Sequence, residues 1–300
     1  MKEQIRLYVI PLYTIKENDE YYIFNDKKDN QNKLDIFWLD TALTDLKNHY
    51  NILQTEICGG EITLLSDFYL NMLFQIIKLN CNKIFISTNF VEYNKSLINC
   101  FDAINVKFNF NGFSKYKQQV FDNIKKFNNK SINLKSLDIS CDRNEKQIIE
   151  ELNISKIKSW EIIPYHHGKG IKKIQRSYSE TEKVIKKYLF FTKSMRFAFQ
   201  NKLQLDEILP IDNYNVKNIY ITPNNKFALQ NFTKNNEFEL LEFDNILDLQ
   251  EKIKEMENLR DKICLNCDSK LRCLANRYLN LNYKGESCSG LIDLIKYYDS

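Results

Sequence analysis

Hydrophobic and polar positions along the first 165 residues follow a rhythm that predicts strands alternating with helices. The strand-like runs are rich in β-branched and aromatic residues, and the helical runs repeat their apolar residues every three or four positions. The predicted strands are 5–14, 20–26, 51–57, 83–88, 105–110, 132–139 and 157–165, and the predicted helices are 36–49, 66–80, 91–101, 115–128 and 145–152. Strands and helices that alternate in this way indicate parallel βαβ units. About six such units predict either a doubly wound sheet or a partial barrel.

The alternation of predicted strands and helices ends near residue 176, where we place a domain boundary. The elements predicted beyond it are helices at 180–190 and over much of 192–207, a hairpin at 215–232 and a helix at 245–261. The hairpin turns at Pro223-Asn224-Asn225, which are residues typical of tight turns. We therefore expect a first domain at 1–176 and a second domain at 177–300.

Length and composition narrow the class of protein. A chain of 300 residues and 35.8 kDa suits one large α/β domain with or without a small appendage. A hydrophobic content of 43% and a charged content of 27% exclude a disordered chain. The chain has no apolar run of transmembrane length and no signal-peptide cleavage site, so we expect a cytoplasmic protein that does not bind membranes. A net charge of +4 without a dense basic stripe argues against a nucleic-acid partner.

Glycine and cysteine are distributed unevenly. The chain has only seven glycines, yet Gly59 and Gly60 are adjacent, which indicates a turn that needs unusual backbone freedom. Four of the eight cysteines are scattered, and we expect them to be free core residues: Cys58, Cys81, Cys100 and Cys141. The other four lie close together near the end of the chain: Cys264, Cys267, Cys273 and Cys288. In a cytoplasmic protein such a cluster indicates a metal site rather than disulfides.

The segment Gly59-Gly60-Glu61 follows one predicted strand, and Ser87-Thr88-Asn89 ends the next. This order resembles the radical S-adenosylmethionine (SAM) enzymes, in which Gly-Gly-Glu-Pro and Thr-Asn-Gly hold these places. Here Ile62 stands in the place of the proline and Phe90 in that of the last glycine. The resemblance implies a partial, TIM-like (β/α)6 barrel over about 5–165, with Gly59, Gly60 and Glu61 meeting the amino group of SAM. The alternative is an ordinary tight turn between a strand and a helix.

The C-terminal cysteines resemble the second half of a SPASM domain, the extension of peptide-modifying radical SAM enzymes. In that family the extension ligates two [4Fe–4S] clusters. The resemblance implies that Cys264, Cys267, Cys273 and Cys288 hold the second of these clusters. At the ligand positions of the first cluster the chain has Arg277 and Gln230, and Asn225 replaces the hairpin glycine. Zn²⁺, which also accepts four thiolates, is the alternative metal.

One family motif is missing from the sequence. Radical SAM enzymes carry Cys-x3-Cys-x2-Cys in the loop after the first strand, where the thiolates hold the cluster that reduces SAM. The matching segment here, 12–22, contains no cysteine, and the first cysteine of the chain is Cys58. We therefore do not expect ordinary SAM cleavage, and SAM binding is not favoured.

Three hypotheses follow from this pattern. The first is a degenerate radical SAM/SPASM-like protein with one [4Fe–4S] cluster, which binds a precursor peptide or protein, or an active radical SAM enzyme, in peptide modification. The second is an enzyme that uses the remaining cluster, with new catalytic groups on the polar loop 12–35. The third is an interaction module held together by zinc.

The remaining polar candidates have ordinary explanations. His166-His167 follows the last predicted barrel strand and is predicted to be solvated rather than part of a site, although function in barrels collects at that end. His49 is predicted to lie on a helix surface. Lys183, Lys186 and Lys187 are predicted to form a solvated helix face.

Overall fold

The computed structural model describes residues 2–13, 33–94, 101–108, 116–127, 131–136, 144–155, 157–162, 178–206, 216–232, 238–264 and 292–299. Its strands are β1 (Glu3–Val9), β2 (Tyr50–Ile57), β3 (Ile84–Thr88), β4 (Ala103–Phe108), β5 (Ser131–Ser136), β6 (Ser159–Ile162), β7 (Ala198–Phe199), β8 (Lys217–Thr222), β9 (Lys226–Phe232) and β10 (Phe238–Phe243). Its helices are α1 (Ile36–His49), α2 (Asp67–Asn80), α3 (Lys117–Lys126), α4 (Glu145–Ile154), α5 (Tyr178–Leu189), α6 (Gln200–Asp206), α7 (Ile246–Cys264) and α8 (Ile292–Asp299).

The ten described strands form one sheet in the order β10-β9-β8-β1-β2-β3-β4-β5-β6-β7. All neighbours from β8 through β1 to β7 are parallel, and β9 and β10 are added antiparallel. The sheet therefore continues across residue 176, because β7 joins it beside β6 and β8 joins it beside β1. The predicted hairpin at 215–232 is confirmed as β8 and β9.

Alternation along the strands gives the sheet two different faces. One face packs against the helices through aliphatic residues such as Ile5, Leu7 and Val9 of β1, all of them fully buried. Amphipathic helices cover this face, and α1 contributes Leu39 and Leu43. The opposite face, which we call the polar face, carries Tyr8, Glu56, Ser87, Asn105, Asn133, Lys135, Ser159, Glu161 and Tyr220.

Most predicted elements of the first part are present, with shifted ends. Helix α2 begins after Ser66, whose hydroxyl accepts a hydrogen bond from the Tyr69 amide and so acts as its N-cap. The predicted helix at 91–101 is wrong for 91–94, which bend instead. The bend is held by Asn123 of α3, whose side chain donates to the carbonyls of Phe90 and Val91. The predicted strand at 20–26 lies outside the described residues.

Candidate functional site

The turn after β2 is built on two left-handed glycines. Gly59 has φ +80° and Gly60 has φ +51°, a region that L side chains rarely adopt. A Cβ atom on Gly59 would lie 2.5 Å from Cγ2 of Ile10, at the end of β1. The backbone freedom predicted for Gly59-Gly60 is therefore real, and it brings the turn directly against the neighbouring strand.

Glu61 fastens this turn to the end of β3. Its buried carboxylate accepts hydrogen bonds from the Thr63 hydroxyl at 2.8 Å, the Thr88 hydroxyl at 2.6 Å and the Asn89 amide at 3.1 Å. The Thr63 amide also donates to it, so Glu61 caps the short 3₁₀ helix Ile62–Leu64. The two segments that carry the family resemblance are thus joined by one side chain.

Two residues that stand in the place of glycines of the family pattern have the left-handed backbone that glycine adopts readily. Phe90, in the place of a glycine, has φ +60°, and Asn225, in the place of the hairpin glycine, has φ +58°. Asparagine tolerates this conformation well, whereas a bulky residue adopts it only when its surroundings compensate. Phe90 is fully buried against Phe127, at 5.0 Å between ring centroids. Ile62 opens the 3₁₀ helix, the position where proline is favoured.

Hydrogen bonds hold together the two ends of the segment that follows β1, at residues 11 and 34. The Leu34 amide donates to the Pro11 carbonyl at 2.9 Å, and the Leu34 carbonyl accepts from the Tyr69 hydroxyl at 2.6 Å. The Asp35 amide donates to the Asn225 side chain at 2.9 Å, so the hairpin turn also holds this point. Residues 14–32 themselves lie outside the described residues.

A hydrogen-bonded row crosses three strands of the polar face. The Ser159 hydroxyl donates to the Asn133 carbonyl oxygen at 2.6 Å, and the Asn133 amide group donates to Asn105 at 3.1 Å. These residues are register partners on β6, β5 and β4. The row gives the polar face a fixed set of neutral donors and acceptors.

Beside this row, an ion pair spans the sheet from β5 to β2. The Lys135 ammonium lies 3.6 Å from a Glu56 carboxylate oxygen, and the Ser87 hydroxyl donates to the other oxygen. Side chains stand roughly perpendicular to a sheet, so a contact between strands three positions apart requires the sheet to curve toward this face. Burial alone lowers the pKa of Lys135, but the carboxylates of Glu56 and Glu161 outweigh it and raise that pKa above its ordinary value. Lys135 is therefore a permanent cation at neutral pH.

Tyr8 and Tyr220 stack on the same face with ring centroids 4.8 Å apart. Burial raises the pKa of both phenols, and the charge of Glu56 adds to the shift. The Tyr220 hydroxyl lies 3.3 Å from Gln230, the residue at a cysteine position of the resemblance. An amide paired with a phenol occupies this position, and it cannot serve as a thiolate ligand.

The remaining predicted site residues differ in how far the structure describes them. Cys264 is the last residue of α7, and Cys267, Cys273 and Cys288 lie outside the described residues, as do His166 and His167. Within the described ranges, no group of three or more Cys, His, Asp or Glu side chains could hold a metal ion. Cys58 and Cys81 are buried as predicted and neither forms a disulfide, and His49 is exposed. None of the described helices is long and apolar enough to cross a membrane.

The cluster implied for the loop after β1 does not fit this chain. It needs thiolates there, and the sequence between β1 and β2 has none. The thiol nearest in the sequence, Cys58, is buried at the end of β2 and forms an apolar cluster with Ile10 and Ala228. The four C-terminal cysteines do offer the donor set that an iron–sulfur cluster requires.

Sequence reasoning missed the polar face because the strands were taken only as apolar runs. A signal was present in two successive strands, where Ile104-Asn105-Val106-Lys107 is followed by Ile132-Asn133-Leu134-Lys135. Strict alternation of this kind indicates one buried apolar face and one polar face.

The buried tyrosines and Lys135 predict a steep loss of stability at alkaline pH. Their pKa values are raised in the folded state, so above about pH 10 the unfolded chain releases protons that the folded chain retains. Stability from these groups is complete below that pH and is lost as the pH rises, by about 1.4 kcal/mol per pH unit for each group. We expect urea unfolding followed by circular dichroism to show no loss from these groups up to about pH 10 and this slope between about pH 10 and 12.

The test variant for this experiment is Tyr8→Phe, and the control is Phe68→Leu, which alters an exposed ring. Tyr8→Phe should remove one group's share of the slope, whereas Phe68→Leu removes no ionisable group and should not change it. An unchanged slope in Tyr8→Phe would show that the phenol ionises equally in both states.

No family model and no curated protein sequence matches the chain. Solved structures do. The chain superposes on SuiB of Streptococcus suis bound to the precursor peptide SuiA with a TM-score of 0.58 and 15% identity, covering 76% of this chain and 59% of SuiB. It also superposes on anSMEcpe bound to S-adenosylmethionine and the Cp18Cys peptide, with a TM-score of 0.66 and 14% identity. This match covers 99% of this chain and 97% of anSMEcpe. The chain thus spans less than two thirds of SuiB but nearly all of anSMEcpe.

At this level of identity, the likeness to both of these proteins is one of fold. A mixed α/β architecture with a parallel sheet was predicted and is confirmed. The SPASM-like extension remains a prediction, because its cysteines lie largely outside the described residues. The chain has a radical SAM-like fold.

Proposed function

We propose that this chain is a degenerate radical SAM/SPASM-like protein that binds a precursor peptide or protein substrate. It holds one [4Fe–4S] cluster on Cys264, Cys267, Cys273 and Cys288. It acts as the peptide-binding or partner subunit of a peptide-modifying system and does not cleave SAM itself.

One combination carries this proposal: the Gly-Gly-Glu architecture is intact while the loop after β1 lacks thiols. Gly59 and Phe90 keep left-handed backbones, and Glu61 still joins β2 to β3. Packing maintains a fold after its chemistry is lost, because the core does not depend on the cluster loop. Here Glu61 serves the turn itself, since its carboxylate accepts hydrogen bonds from the chain's own Thr63, Thr88 and Asn89.

A peptide as the ligand is supported by the neighbours in fold. SuiB is seen with the precursor peptide SuiA, and anSMEcpe with the Cp18Cys peptide. In this chain, the curved polar face carries the hydrogen-bonded side chains of Asn105 and Asn133 beside the charged pair of Lys135 and Glu56. Such groups suit the hydrogen-bonding groups of a peptide better than an apolar ligand.

The cysteine spacing supports a cluster over zinc. Cys264-x2-Cys267-x5-Cys273 matches the resemblance, whereas zinc sites with four cysteines more often use two x2 pairs. Four thiolates around a metal centre would also hold the segment that carries them in one conformation. A cluster at this site could serve structure or electron transfer.

Metal analysis tests the cluster. After anaerobic purification we expect about four iron and four sulfide per chain, with the visible absorption of a [4Fe–4S] cluster. Cys264→Ala and Cys288→Ala should lose it, whereas Cys58→Ala and Cys81→Ala, which alter buried thiols outside any disulfide, should retain it. One zinc without sulfide would favour an interaction module, and about eight iron would overturn the degenerate assignment.

Partner capture tests the biological role. The holoprotein, immobilised anaerobically, should retain a precursor peptide or an active radical SAM enzyme from its own cell extract. Turnover of a peptide by the isolated protein with a reductant would instead support an enzyme that uses the remaining cluster.

A further inference from the structure

Strand β10 lies at one end of the sheet, and no other described strand pairs with its outer edge. All six of its residues pair with β9 in one uninterrupted antiparallel register, from Phe238 opposite Phe232 to Phe243 opposite Phe227. A strand in this position directs alternate backbone N–H and C=O groups away from its neighbour. The strand at the other end of the sheet, β7, has only two residues. The outer edge of β10, which we call the β10 edge, is thus the longer of the two.

The sequence of β10 does not block the addition of another strand. Proteins commonly protect an edge with proline, with a bulge or with charged side chains. The segment 238–243 contains no proline, and its register with β9 has no bulge. Its protection consists of two carboxylates, Glu239 and the exposed Glu242. Tyr13 and Asn224 donate to Glu242 and are neutral, so they leave its charge in place.

Negative charge extends beyond the strand to the elements around it. β10 packs chiefly against β9 and α7, and residues 226–257 cover β9, β10 and the first part of α7. This stretch contains eight Asp or Glu, four Lys and no Arg or His, a net charge of −4, whereas the rest of the chain carries +8. Two of its lysines already have partners within the stretch, since Lys226 contacts Asp244 and Lys252 lies 2.7 Å from Glu255. The surroundings of the β10 edge are therefore acidic as a whole.

Alternation places one carboxylate on each face of β10. Leu240 packs against the small apolar cluster of the polar face, and Glu242 shares that side. Phe243 packs against the main core on the helical side, which Glu239 and Leu241 share. A strand added at this edge therefore meets a carboxylate on each face, with two half-buried leucines between them.

We propose that the β10 edge accepts an extended basic peptide segment as an additional strand. The inference rests on the proposed peptide-binding function and names the chemistry of the segment bound. Glu239-Leu240-Leu241-Glu242 is complementary to the order cation-apolar-apolar-cation, with Lys or Arg opposite each carboxylate. Backbone hydrogen bonds supply affinity for any extended chain, and the side chains opposite these four residues supply selectivity.

Charge disfavours the other occupants of an open edge. Antiparallel pairing of two β10 strands about their centre would place Glu239 of each copy opposite Glu242 of the other. Like charges directly opposite one another destabilise a sheet. An acidic peptide or a nucleic acid would meet the same repulsion from the net charge of −4 around the edge.

Fluorescence anisotropy with the full-length, anaerobically purified holoprotein tests the docking. The probe is a short labelled peptide with Lys-Ile-Val-Lys at its centre, and its counterpart has Glu-Ile-Val-Glu there. We expect the basic probe to bind at least about tenfold more tightly, with affinity falling as salt rises. Glu239→Gln combined with Glu242→Gln should weaken its binding by about fivefold or more. The control, Asp45→Asn combined with Glu150→Gln, removes two exposed carboxylates of α1 and α4 and should leave binding unchanged.

Methylation of the probe's backbone distinguishes strand pairing from attraction by charge alone. An added strand directs only alternate amides toward β10, and a methylated amide cannot donate a hydrogen bond. Of two basic probes methylated at the two alternate sets of amides, one should lose binding and the other should retain it. Attraction by charge alone would treat both methylated probes alike and would overturn the inference.

Equal binding of the basic and acidic probes, or equal loss in both double variants, would also overturn the inference. So would a dimer of the original protein that the basic probe dissociates, since a second copy would then occupy the β10 edge. If a peptide retained in the capture experiment bound the Glu239→Gln, Glu242→Gln variant equally well, the proposed function would stand and the β10 edge would not be its site. The metal analysis is independent, because binding of the basic probe by a metal-free protein refutes only the cluster.

Discussion

Glu61→Ala should lower the free energy of unfolding by roughly 4 kcal/mol, because it removes the acceptor that joins the turn after β2 to the end of β3. The carboxylate is 3% exposed and accepts from two hydroxyls and two backbone amides. The hydroxyls of Thr63 and Thr88 can rotate to other acceptors, but the backbone N–H groups of Thr63 and Asn89 cannot. Each buried donor left without an acceptor costs about 1–3 kcal/mol. Urea unfolding with two independent probes measures the loss.

Two further variants sharpen this result. Glu61→Gln keeps one oxygen for the two threonines but sets an NH₂ group against the Asn89 amide, so we expect about half the loss. Glu251→Ala removes an exposed carboxylate of α7 and should change stability by less than about 0.5 kcal/mol. If Glu61→Ala unfolded at the same urea concentration as the original protein, the hydrogen bonds of Glu61 would not contribute to the free energy of unfolding as proposed.

Gly59→Ala should destabilise the protein by about 3 kcal/mol for a different reason. A left-handed φ costs an L residue about 1 kcal/mol, and the new Cβ would lie 2.5 Å from Ile10 Cγ2. Ile10 is fully buried, so relief requires the end of β1 to move, at about 1–3 kcal/mol for an overpacked core. Thermal and urea unfolding would measure both contributions together.

A double-mutant cycle separates the clash from the backbone cost. Ile10→Ala removes the methyl group that the new Cβ meets, so Gly59→Ala combined with Ile10→Ala should be less damaging than the sum of the two by about 2 kcal/mol. Ile5→Ala, which opens a cavity elsewhere on β1, should combine additively with Gly59→Ala. Additivity in both cycles would mean that the contact with Ile10 does not decide the cost.

Local patterns were enough to predict the parallel strand and helix units and the Gly59-Gly60 turn. Helix α2, for example, has both a clear N-cap at Ser66 and a regular apolar stripe. The roles of Phe90 and Asn225 could not be predicted, because their left-handed backbones are set by packing and by partners distant in sequence. Phe90 depends on Phe127 and Asn123, and neither residue is marked by any feature near position 90.

The candidate site was predicted only in part. Glu61 was identified through its motif, but its partner Thr88 becomes visible only when β2 and β3 are aligned. The pair of Glu56 and Lys135 depends on the curvature of the sheet, which no window of sequence contains. The pairing of β1 with β8 joins Ile5 to Lys217 and likewise has no local signal.

The position of β1 between β2 and β8 has a consequence for synthesis on the ribosome. The strand that completes β1, Lys217–Thr222, is made long after β2 has emerged. At typical elongation rates the interval is on the order of ten seconds. During that time the nascent chain presents one side of an apolar strand as an open edge, the kind of edge that pairs readily with other chains. Completion of the sheet, and protection of its first strand from aggregation, therefore wait for the last third of the chain.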